Sequence, residues 1–242
     1  MRWEPEQFSL ETTSVWNFME RGDWATHNPK YRGNWSPYIP RNLILRYSIE
    51  KDLILDQFVG GGTTLIEAKL LNRNSLGVDI NPTAIEQCRE KTAFEYPNAG
   101  QVYIKQGDAR KLNFIPAESI DFICTHPPYA DIIRYSDGLD GDLSNYGVKE
   151  FLTQMKLVAD ECFRILKSGK FCAIMMGDTR KRGHVVTMSF ELMKIFERVG
   201  FCVKEIIIKE QHNCRSTERW KARSKRNNFL LLAHEYLFIF NK

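Results

Sequence analysis

The sequence predicts an α/β fold built on a mainly parallel, doubly wound sheet with an antiparallel hairpin at one edge. From Leu53 onward, short apolar runs alternate with helical patterns of roughly 10 to 15 residues, which is typical of parallel strands joined by crossover helices. A glycine cluster, Gly60-Gly61-Gly62, follows the first run. The last two runs, 201–208 and 229–240, have no helical pattern between them, so we expect them to pair as the edge hairpin.

The elements follow an N-terminal arm, residues 1–22, and an irregular segment rich in Pro, Asn and aromatic residues. The other predicted strands are 53–55, 75–78, 102–104, 120–124 and 171–176. Helices are expected from Pro40, from Thr63, from Pro82, over 149–167 and over 188–199.

Length and composition predict a single domain, residues 1–242, because this length buries one substantial core and leaves little room for a second. No apolar stretch approaches the roughly 18 residues of a membrane span, and the N-terminus does not read as a secretory signal.

The six cysteines are scattered without a C-x-x-C pair. We therefore expect buried thiols in a reducing cytoplasm and no metal site. A net charge of +4 is too small to identify a nucleic-acid binder.

Acidic residues stand at or near the ends of the first three strands of the alternating pattern. Ligands bind beyond the carboxyl ends of the strands in such a sheet. Asp56, beside the glycine turn, would repel a pyrophosphate but suits a cationic ligand. Asp79 is placed to hold two ribose hydroxyls, and Asp108 could accept a hydrogen bond from an adenine amino group. A sulfonium nucleoside with an amino-acid tail fits this set better than NAD does.

The glycine turn itself excludes two common phosphate sites. Glycines let the backbone pass close to a ligand, and the helix from Thr63 points free N–H groups at the same place. The chain has no Gly-Lys-Ser/Thr after the turn, so it is not a P-loop. Leu65 stands where the dinucleotide pattern has its third glycine.

The segment Thr125-His126-Pro127-Pro128-Tyr129 follows the fourth strand of the pattern. An aromatic amino nitrogen is a poor nucleophile because its lone pair is delocalised into the ring. Acceptors that hold the amino hydrogens can localise that lone pair for attack on a methyl group. Two prolines stiffen the backbone so that a carbonyl points to one place. Tyr129 offers a face on which an extruded base can stack.

At these positions the chain resembles the amino-directed DNA methyltransferases, the N4-cytosine and N6-adenine family. Residues 56–64 (the cofactor loop) resemble that family's Asp-Pro-Phe-x-Gly-x-Gly-Thr-Thr, and residues 125–129 (the catalytic loop) are similar to its Thr-Ser-Pro-Pro-Tyr. The segment 27–40 is similar to the N-terminal element that covers the methionine end of S-adenosyl-L-methionine (AdoMet). Residues 234–240 resemble the closing strand.

The resemblance implies a Rossmann-like AdoMet-dependent methyltransferase fold, AdoMet as methyl donor, and double-stranded DNA from which one base is flipped. It also implies a role in restriction–modification. The catalytic residues that it implies are His126, Pro127, Pro128 and Tyr129. The cofactor contacts are His27, Lys30, Asp56, Phe58, Gly60, Gly62, Thr63, Thr64, Asp79, Ile80, Asp108, Ala109 and Thr125.

Two residues depart from the family pattern: Gln57 replaces a proline, and His126 replaces a Ser, Asp or Asn. A neutral imidazole nitrogen can accept a hydrogen bond, so His126 can still orient the amino group, although it could instead only shape the loop. Because a free imidazole has a pKa of about 6.5, we expect activity to fall below about pH 6. C5-cytosine chemistry is disfavoured because Cys124 has no proline before it.

A basic stretch, 209–228, lies between the last two predicted strands and is expected to form a long hairpin loop that contacts DNA phosphates and base edges. An ordinary solvated surface is the alternative. Its proposed contacts are Arg215, Arg219, Lys221, Arg223, Lys225 and Arg226. A smaller basic turn, 180–182, could extend this surface. Because no large target-recognition domain is visible, we expect specificity to come from short loops, a homodimer or a cognate restriction subunit.

Two other functions stay open. An RNA N2-guanine methyltransferase shares the cofactor fold and a Pro-Pro-Tyr loop. A catalytically silent methyltransferase-like subunit that binds DNA or a partner is compatible with the substitution at His126.

Overall fold

The computed structural model describes residues 2–28, 33–212 and 217–242. The strands are β1 (Val15–Trp16), β2 (Leu53–Asp56), β3 (Asn74–Asp79), β4 (Val102–Gln106), β5 (Ile120–Thr125), β6 (Leu166–Met176), β7 (Thr179–Lys181), β8 (His184–Val186), β9 (Cys202–Glu210) and β10 (His234–Asn241). The α-helices are α1 (Tyr38–Tyr47), α2 (Thr63–Leu70), α3 (Pro82–Thr92), α4 (Val148–Ile165), α5 (Met188–Val199) and α6 (Thr217–Asn227). None of the helices in the described part of the chain is long and apolar enough to cross a bilayer.

Within these residues one eight-stranded sheet has the order β1-β9-β10-β6-β5-β2-β3-β4. Strands β2 to β6 pair in parallel, and β10 is antiparallel to both β6 and β9. The predicted doubly wound α/β fold is therefore confirmed. From β2 the chain builds outward to β3 and β4, then returns to place β5 on the other side. The crevice between the carboxyl ends of β2 and β5 is thus the switch point at which such sheets bind ligands.

Neighbouring residues of the central strands point to opposite faces of the sheet, as the two-residue period of a strand requires. Ile54 and Phe122 pack with α1 on one face, in a cluster that includes Leu43. Leu55 and Ile123 pack on the other face, in the cluster that contains α4 and α5. Both faces are covered by helices, which explains why apolar residues fill consecutive positions, 53–55 in β2 and 122–124 in β5.

The C-terminal hairpin differs from the prediction in two respects. Strands β9 and β10 are antiparallel as expected, but α6 stands between them, and β1 pairs in parallel with the outer side of β9. The loop predicted over 209–228 therefore contains a helix. Residues 218–227 of this helix are exposed except for the half-buried Ser224, and its sequence, TERWKARSKRN, has no apolar stripe, so hydrophobic periodicity could not predict it.

A short antiparallel hairpin, β7–β8, was also absent from the sequence prediction. It encloses the basic turn around Arg182 and Gly183, whose φ angles are +52° and +84°. Two consecutive residues with positive φ are the signature of a tight type I′ turn. Three-residue strands are too short to give a clear alternating pattern.

The N-terminal segment is anchored to α2 by the carboxylate of Glu67, which is fully buried. Its Oε1 accepts a hydrogen bond from the indole of Trp24 at 2.7 Å and contacts His27 Nε2 at 2.7 Å, and its Oε2 accepts from Arg41 Nη1 at 2.9 Å. Arg41 also pairs with Glu4 of the arm. One carboxylate therefore joins residues 24–27, α1 and α2, and Arg41 links this group to the arm.

Replacing Glu67 with Ala should destabilise the fold by about 3 kcal/mol, because the Arg41 cation would lose its buried partner. Chemical denaturation followed by circular dichroism measures this loss. The control is Glu86→Ala on the exposed side of α3, which should unfold close to wild type. Equal midpoints for the two variants would show that Glu67 does not anchor the segment.

Candidate active site

A cavity lies over the carboxyl ends of β2, β3 and β5, and we call it the strand-end cavity. The predicted cofactor contacts that line it are Asp56, Phe58, Gly60, Thr63, Asp79, Ile80, Asp108 and Ala109. His126 and Pro128 of the catalytic loop line it as well. Residues that sequence reasoning did not select complete the wall: Gly33, Asn34, Trp35, Gln57, Val59, Asn81, Tyr135, Gly141, Asp142 and Leu143.

The Asp56 carboxylate connects the cofactor loop to the catalytic loop. It accepts hydrogen bonds from Thr64 Oγ1 at 2.5 Å, Thr125 Oγ1 at 2.7 Å and the Phe58 amide at 3.1 Å. Burial raises the pKa of Asp56 to about 6, against the opposing effect of these donors. Thr64 and Thr125 are fully buried and lie behind the cavity lining. Their hydroxyls therefore serve to orient the Asp56 carboxylate by donating hydrogen bonds to it.

The Asp79 carboxylate fixes the glycine turn from the end of the neighbouring strand. Its Oδ2 accepts the Gly60 amide and its Oδ1 accepts the Asn81 amide, both at 2.9 Å. Burial raises the pKa of Asp79 to about 6. A carboxylate has about four acceptor sites, and the amides of Gly60, Asn81 and Ile80 do not fill all of them.

Gly62 has a structural place in this loop. Its φ is +81°, and a Cβ built there would lie 2.9 Å from Cys88 Sγ of α3. Only glycine adopts that conformation at low cost. Gly62 is therefore required for the turn and the packing of α3, and it lies behind the lining.

Asp108 is held by a residue that the sequence analysis did not single out. Arg110 Nε lies 2.9 Å and 3.1 Å from the two carboxylate oxygens, and Arg110 Nη2 donates to Oδ2 at 2.7 Å. Burial would raise the pKa of Asp108, but the Arg110 guanidinium and amide hold it below its usual range. A ligand amino group would share this carboxylate with Arg110.

His27 lies outside the strand-end cavity lining, because its side chain is buried against Glu67. The structure therefore does not bring His27 together with the predicted contacts that line this cavity. Nothing in the local sequence points to a partner 40 residues away. Lys30, also predicted as a contact, lies outside the described residues.

The catalytic loop is joined to the C-terminal hairpin by a chain of hydrogen bonds. His126 Nε2 lies 2.7 Å from the Tyr129 hydroxyl, which donates to Glu235 Oε1 at 2.8 Å. Lys209 donates to Glu235 Oε2 at 3.1 Å. The loop ends in strained backbone, since Ala130 has a φ of +48°, a value rare outside glycine.

His126 titrates differently from the sequence expectation. Its ring stacks on Trp35, with centroids 5.4 Å apart and planes at 21°. Burial lowers the pKa of His126 to about 4, against the attraction of Glu235. Between about pH 4 and pH 6 the ring therefore stays neutral, and a loss of activity in that interval is not expected from His126.

A second cavity, the aromatic cavity, lies on the other side of the catalytic loop. His126, Pro127 and Tyr129 line it together with Phe18, Met19, Arg21, Gly33, Asn34, Trp35, Ser36, Ile132, Ile133, Tyr135, Met175, Lys209, Gln211, His212 and Glu235. The catalytic loop is consequently a shared wall of the strand-end and aromatic cavities.

A third depression, the basic groove, runs from Tyr129 toward α6. Arg180 of β7 and Trp220 and Arg223 of α6 line it. Arg219, Lys221, Arg223, Lys225 and Arg226 are all exposed on α6, whereas Arg215 lies outside the described residues. Lys221 pairs with Glu218 at 2.8 Å. The helix thus presents a cationic surface beside the catalytic loop.

Comparisons with known proteins place this geometry in a family. The sequence profile described as DNA methylase matches residues 2–90 and 120–242, and a general methyltransferase-domain profile matches residues 54–133. Two solved structures are similar in fold, each with a TM-score of 0.58. One is a SAM-dependent methyltransferase from Methanosarcina mazei, 18% identical, with 83% of this chain and 96% of that one covered. The other is TrmN from Thermus thermophilus, 17% identical, with 87% and 50% covered.

Curated relatives match over shorter segments. Type II methyltransferase M.BsoBI of Geobacillus stearothermophilus is 35% identical over 96 residues, or 38% of this chain. M.HpaI of Haemophilus parainfluenzae is 35% identical over 85 residues, or 35% of the chain. A tRNA (guanine(10)-N2)-dimethyltransferase of Methanothermobacter thermautotrophicus is 32% identical over 123 residues, or 50% of the chain. The matched segments span 18%, 27% and 34% of these relatives' own lengths.

The DNA methylase profile accounts for both ends of the chain and for the strands that carry the cofactor and catalytic loops. Gly60 and Asp79 meet at the carboxyl ends of β2 and β3, the edge at which sheets of this type bind ligands. The chain therefore belongs to the DNA methylase family of N6 and N4 methyltransferases, whose cofactor is S-adenosyl-L-methionine.

Proposed function

We propose that this protein transfers a methyl group from AdoMet to an exocyclic amino group of a DNA base, N6 of adenine or N4 of cytosine, and that the base is flipped out of the helix. The observation that supports the proposal is that the catalytic loop lines both the strand-end cavity and the aromatic cavity. His126 faces both the strand-end cavity and the aromatic cavity. A cofactor in the first cavity and a base in the second would meet at this loop.

AdoMet supplies an electrophilic methyl group on a sulfonium. The residues of the strand-end cavity fit such a ligand, because buried carboxylates with spare acceptor sites suit ribose hydroxyls and a positive charge. Asp79 is proposed to hold the ribose, and Asp108, together with Arg110, to border the adenine ring. Ile80 and Phe58 would cover its apolar faces. Asp56 is proposed to act mainly by fixing Thr64 and Thr125, since both hydroxyls are committed to it.

In the aromatic cavity, Tyr129 is proposed to stack on the flipped base. Pro127 and Pro128 fix the direction of the loop carbonyls, because proline locks its φ and restricts the residue before it. A carbonyl of this loop and the unprotonated nitrogen of His126 would accept the two amino hydrogens. The lone pair of the amino nitrogen is then directed at the methyl group.

Nucleoside mass spectrometry of DNA from a methylation-free host tests the reaction. We expect N4-methylcytosine or N6-methyladenine in a host that expresses this chain. His126→Ala should lower the amount by about 100-fold if an acceptor is lost from the transition state. AdoMet binding without any methylated nucleoside would favour the silent subunit and contradict the proposal.

RNA N2-guanine methylation is the second candidate, because the tRNA methyltransferase match covers half of this chain. The same mass spectrometry on host RNA separates the two functions. N2-methylguanosine in RNA, with unmodified DNA, would establish this alternative.

Asp79→Ala should weaken AdoMet binding by at least about tenfold, because a pair of hydrogen bonds to the ribose would be lost and the Gly60 amide would lose its acceptor. Isothermal titration calorimetry measures the affinity. Asp160→Ala on the exposed side of α4 is the matched control and should bind normally. Unchanged affinity in the Asp79 variant would contradict its proposed role.

We further propose that α6 contacts DNA phosphates beside the catalytic loop. Its cations are exposed and border the basic groove, which reaches Tyr129. Arg223 lies over the ring of Trp220 at 5.2 Å, so this pair presents a flat cationic surface. Target choice is proposed to depend on this helix and the β7–β8 hairpin, with a second copy or a restriction subunit as further contributors.

Replacing Arg219, Lys225 and Arg226 of α6 together with Gln should weaken DNA binding and flatten its salt dependence. Each lost phosphate contact lowers the slope of log K against log salt by about 0.9. Fluorescence anisotropy at several salt concentrations gives the slope. Lys194, Arg198 and Lys204, exposed on α5 and β9, are changed to Gln as the charge-matched control. Equal slopes for both triple variants would exclude α6 as the phosphate contact.

A further inference from the structure

The hydrogen-bond chain behind the catalytic loop has a direction, which follows from counting its hydrogens. Lys209 can only donate, and it occupies Glu235 Oε2 at 3.1 Å. Tyr129 has a single hydroxyl hydrogen and three neighbours: the Gly177 amide, which can only donate to its oxygen, Glu235 Oε1 at 2.8 Å and His126 Nε2 at 2.7 Å. A carboxylate has no hydrogen to give, so the hydroxyl hydrogen goes to Glu235. The oxygen of Tyr129 must then accept from His126.

This direction requires Glu235 to be ionised, and Nδ1 of His126 can act as an acceptor only if the ring is neutral. Burial alone would raise the pKa of Glu235, but Lys209 and the hydroxyl of Tyr129 hold it below its usual range. Burial lowers the pKa of His126 to about 4. Burial and the nearby carboxylate raise the pKa of Tyr129 well above its usual value, so its hydroxyl keeps its hydrogen. At neutral pH Glu235 is therefore a carboxylate, Tyr129 a neutral phenol and His126 a neutral imidazole.

A neutral imidazole with a hydrogen on Nε2 has its lone pair on Nδ1. Nδ1 of His126 has no hydrogen-bond partner among residues 2–28, 33–212 and 217–242. It is also not one of the buried, unpaired side-chain nitrogen and oxygen atoms of these residues. Stacking on Trp35 and the bond to Tyr129 restrict rotation of the ring. The acceptor nitrogen thus has no protein partner there, on a residue that lines both cavities.

We propose that Glu235 is a positioning residue that selects the His126 tautomer through Tyr129, so that Nδ1 accepts an amino hydrogen of the target base. The role in methyl transfer rests on the proposed function, whereas the choice of tautomer does not. Glu235 lies on β10, opposite Lys209 in the ladder between β9 and β10. The C-terminal hairpin therefore controls which nitrogen the catalytic loop can use.

The substitution Glu235→Gln should reverse the direction of the hydrogen bonds that join Glu235, Tyr129 and His126. Lys209 would hold the amide oxygen, because an ammonium cannot accept a hydrogen bond. The amide N–H would then face Tyr129 and donate to its oxygen. The hydroxyl hydrogen would turn to Nε2 of His126, and the imidazole hydrogen would move to Nδ1. The acceptor would become a donor without any loss of volume.

Two-bond proton–nitrogen correlation spectra of the histidine rings test the tautomer directly, without any methyl transfer. The chain has five histidines, so the His126 signals can be assigned by their loss in His126→Gln. We expect hydrogen on Nε2 in the wild-type protein and on Nδ1 in Glu235→Gln. Glu205→Gln, exposed on β9, removes the same charge and should leave the wild-type pattern. Hydrogen on Nδ1 in the wild type, or an unchanged tautomer in Glu235→Gln, would overturn the proposal.

A double-mutant comparison tests the consequence for catalysis. Glu235→Gln should lower kcat by about 100-fold, as expected for an acceptor lost from the transition state, with little change in AdoMet affinity. Tyr129→Phe removes the hydroxyl that links Glu235 to His126 but keeps the aromatic ring. In that background the second change, Glu235→Gln, should have no further effect on kcat, because nothing transmits it.

Equal losses from Glu235→Gln in both backgrounds would overturn the proposal, since Glu235 would then act without Tyr129. If the tautomer changes as expected but neither DNA nor RNA is methylated by any variant, the proposed function fails and the assignment of the tautomer stands. Circular dichroism and AdoMet binding show whether each variant is folded.

Discussion

The hydrogen bonds of the Asp56 carboxylate set the geometry on which the rest of this site depends. Asp56 ends β2, Thr64 lies in the first turn of α2, and Thr125 ends β5. Their hydroxyls meet on one buried carboxylate at 2.5 Å and 2.7 Å. Burying a carboxylate is unfavourable unless donors surround it, and here two hydroxyls and one amide do so. Because β2 and β5 flank the switch point, this carboxylate fixes the distance between the cofactor loop and the catalytic loop.

The other carboxylates divide their acceptor sites between protein and ligand. Asp79 accepts hydrogen bonds from the Gly60 and Asn81 amides, and most of the acceptor sites of Asp108 are occupied by Arg110. Such bonds hold each carboxylate in one orientation before a ligand arrives. Preorganisation of this kind lowers the entropy that binding must remove. The remaining acceptor sites then determine which ligand groups can be held.

The sequence predicted those parts of the fold whose signal is local. Residues 122–124 of β5 are all apolar because helices cover both faces of the sheet, and the glycine turn consists of three consecutive glycines. The sequence could not predict α6, because a helix exposed on all sides has no apolar period. Contacts between distant residues were equally hidden. His27 lies 40 residues from Glu67, and Tyr129 lies 106 residues from Glu235.

The same limit applies to the titration of His126. A free imidazole was the only available reference, whereas the fold stacks the ring on Trp35 and removes it from water. Desolvation disfavours the charged form, and the nearby Glu235 carboxylate does not fully compensate. The sequence therefore identified the residue, but its protonation state depends on partners from three other segments of the chain.

Histidine at the head of the catalytic loop also changes what the surrounding structure must provide. A carboxylate or amide oxygen accepts a hydrogen bond whatever its neighbours do, as in the Asp or Asn of the family pattern. An imidazole nitrogen accepts only in one of two tautomers. The loop alone cannot make that choice, because its own tyrosine hydroxyl can donate or accept. A fixed charge behind the tyrosine can, and Glu235 with Lys209 is such a charge. The use of histidine thus transfers part of the catalytic requirement from the loop to the C-terminal hairpin.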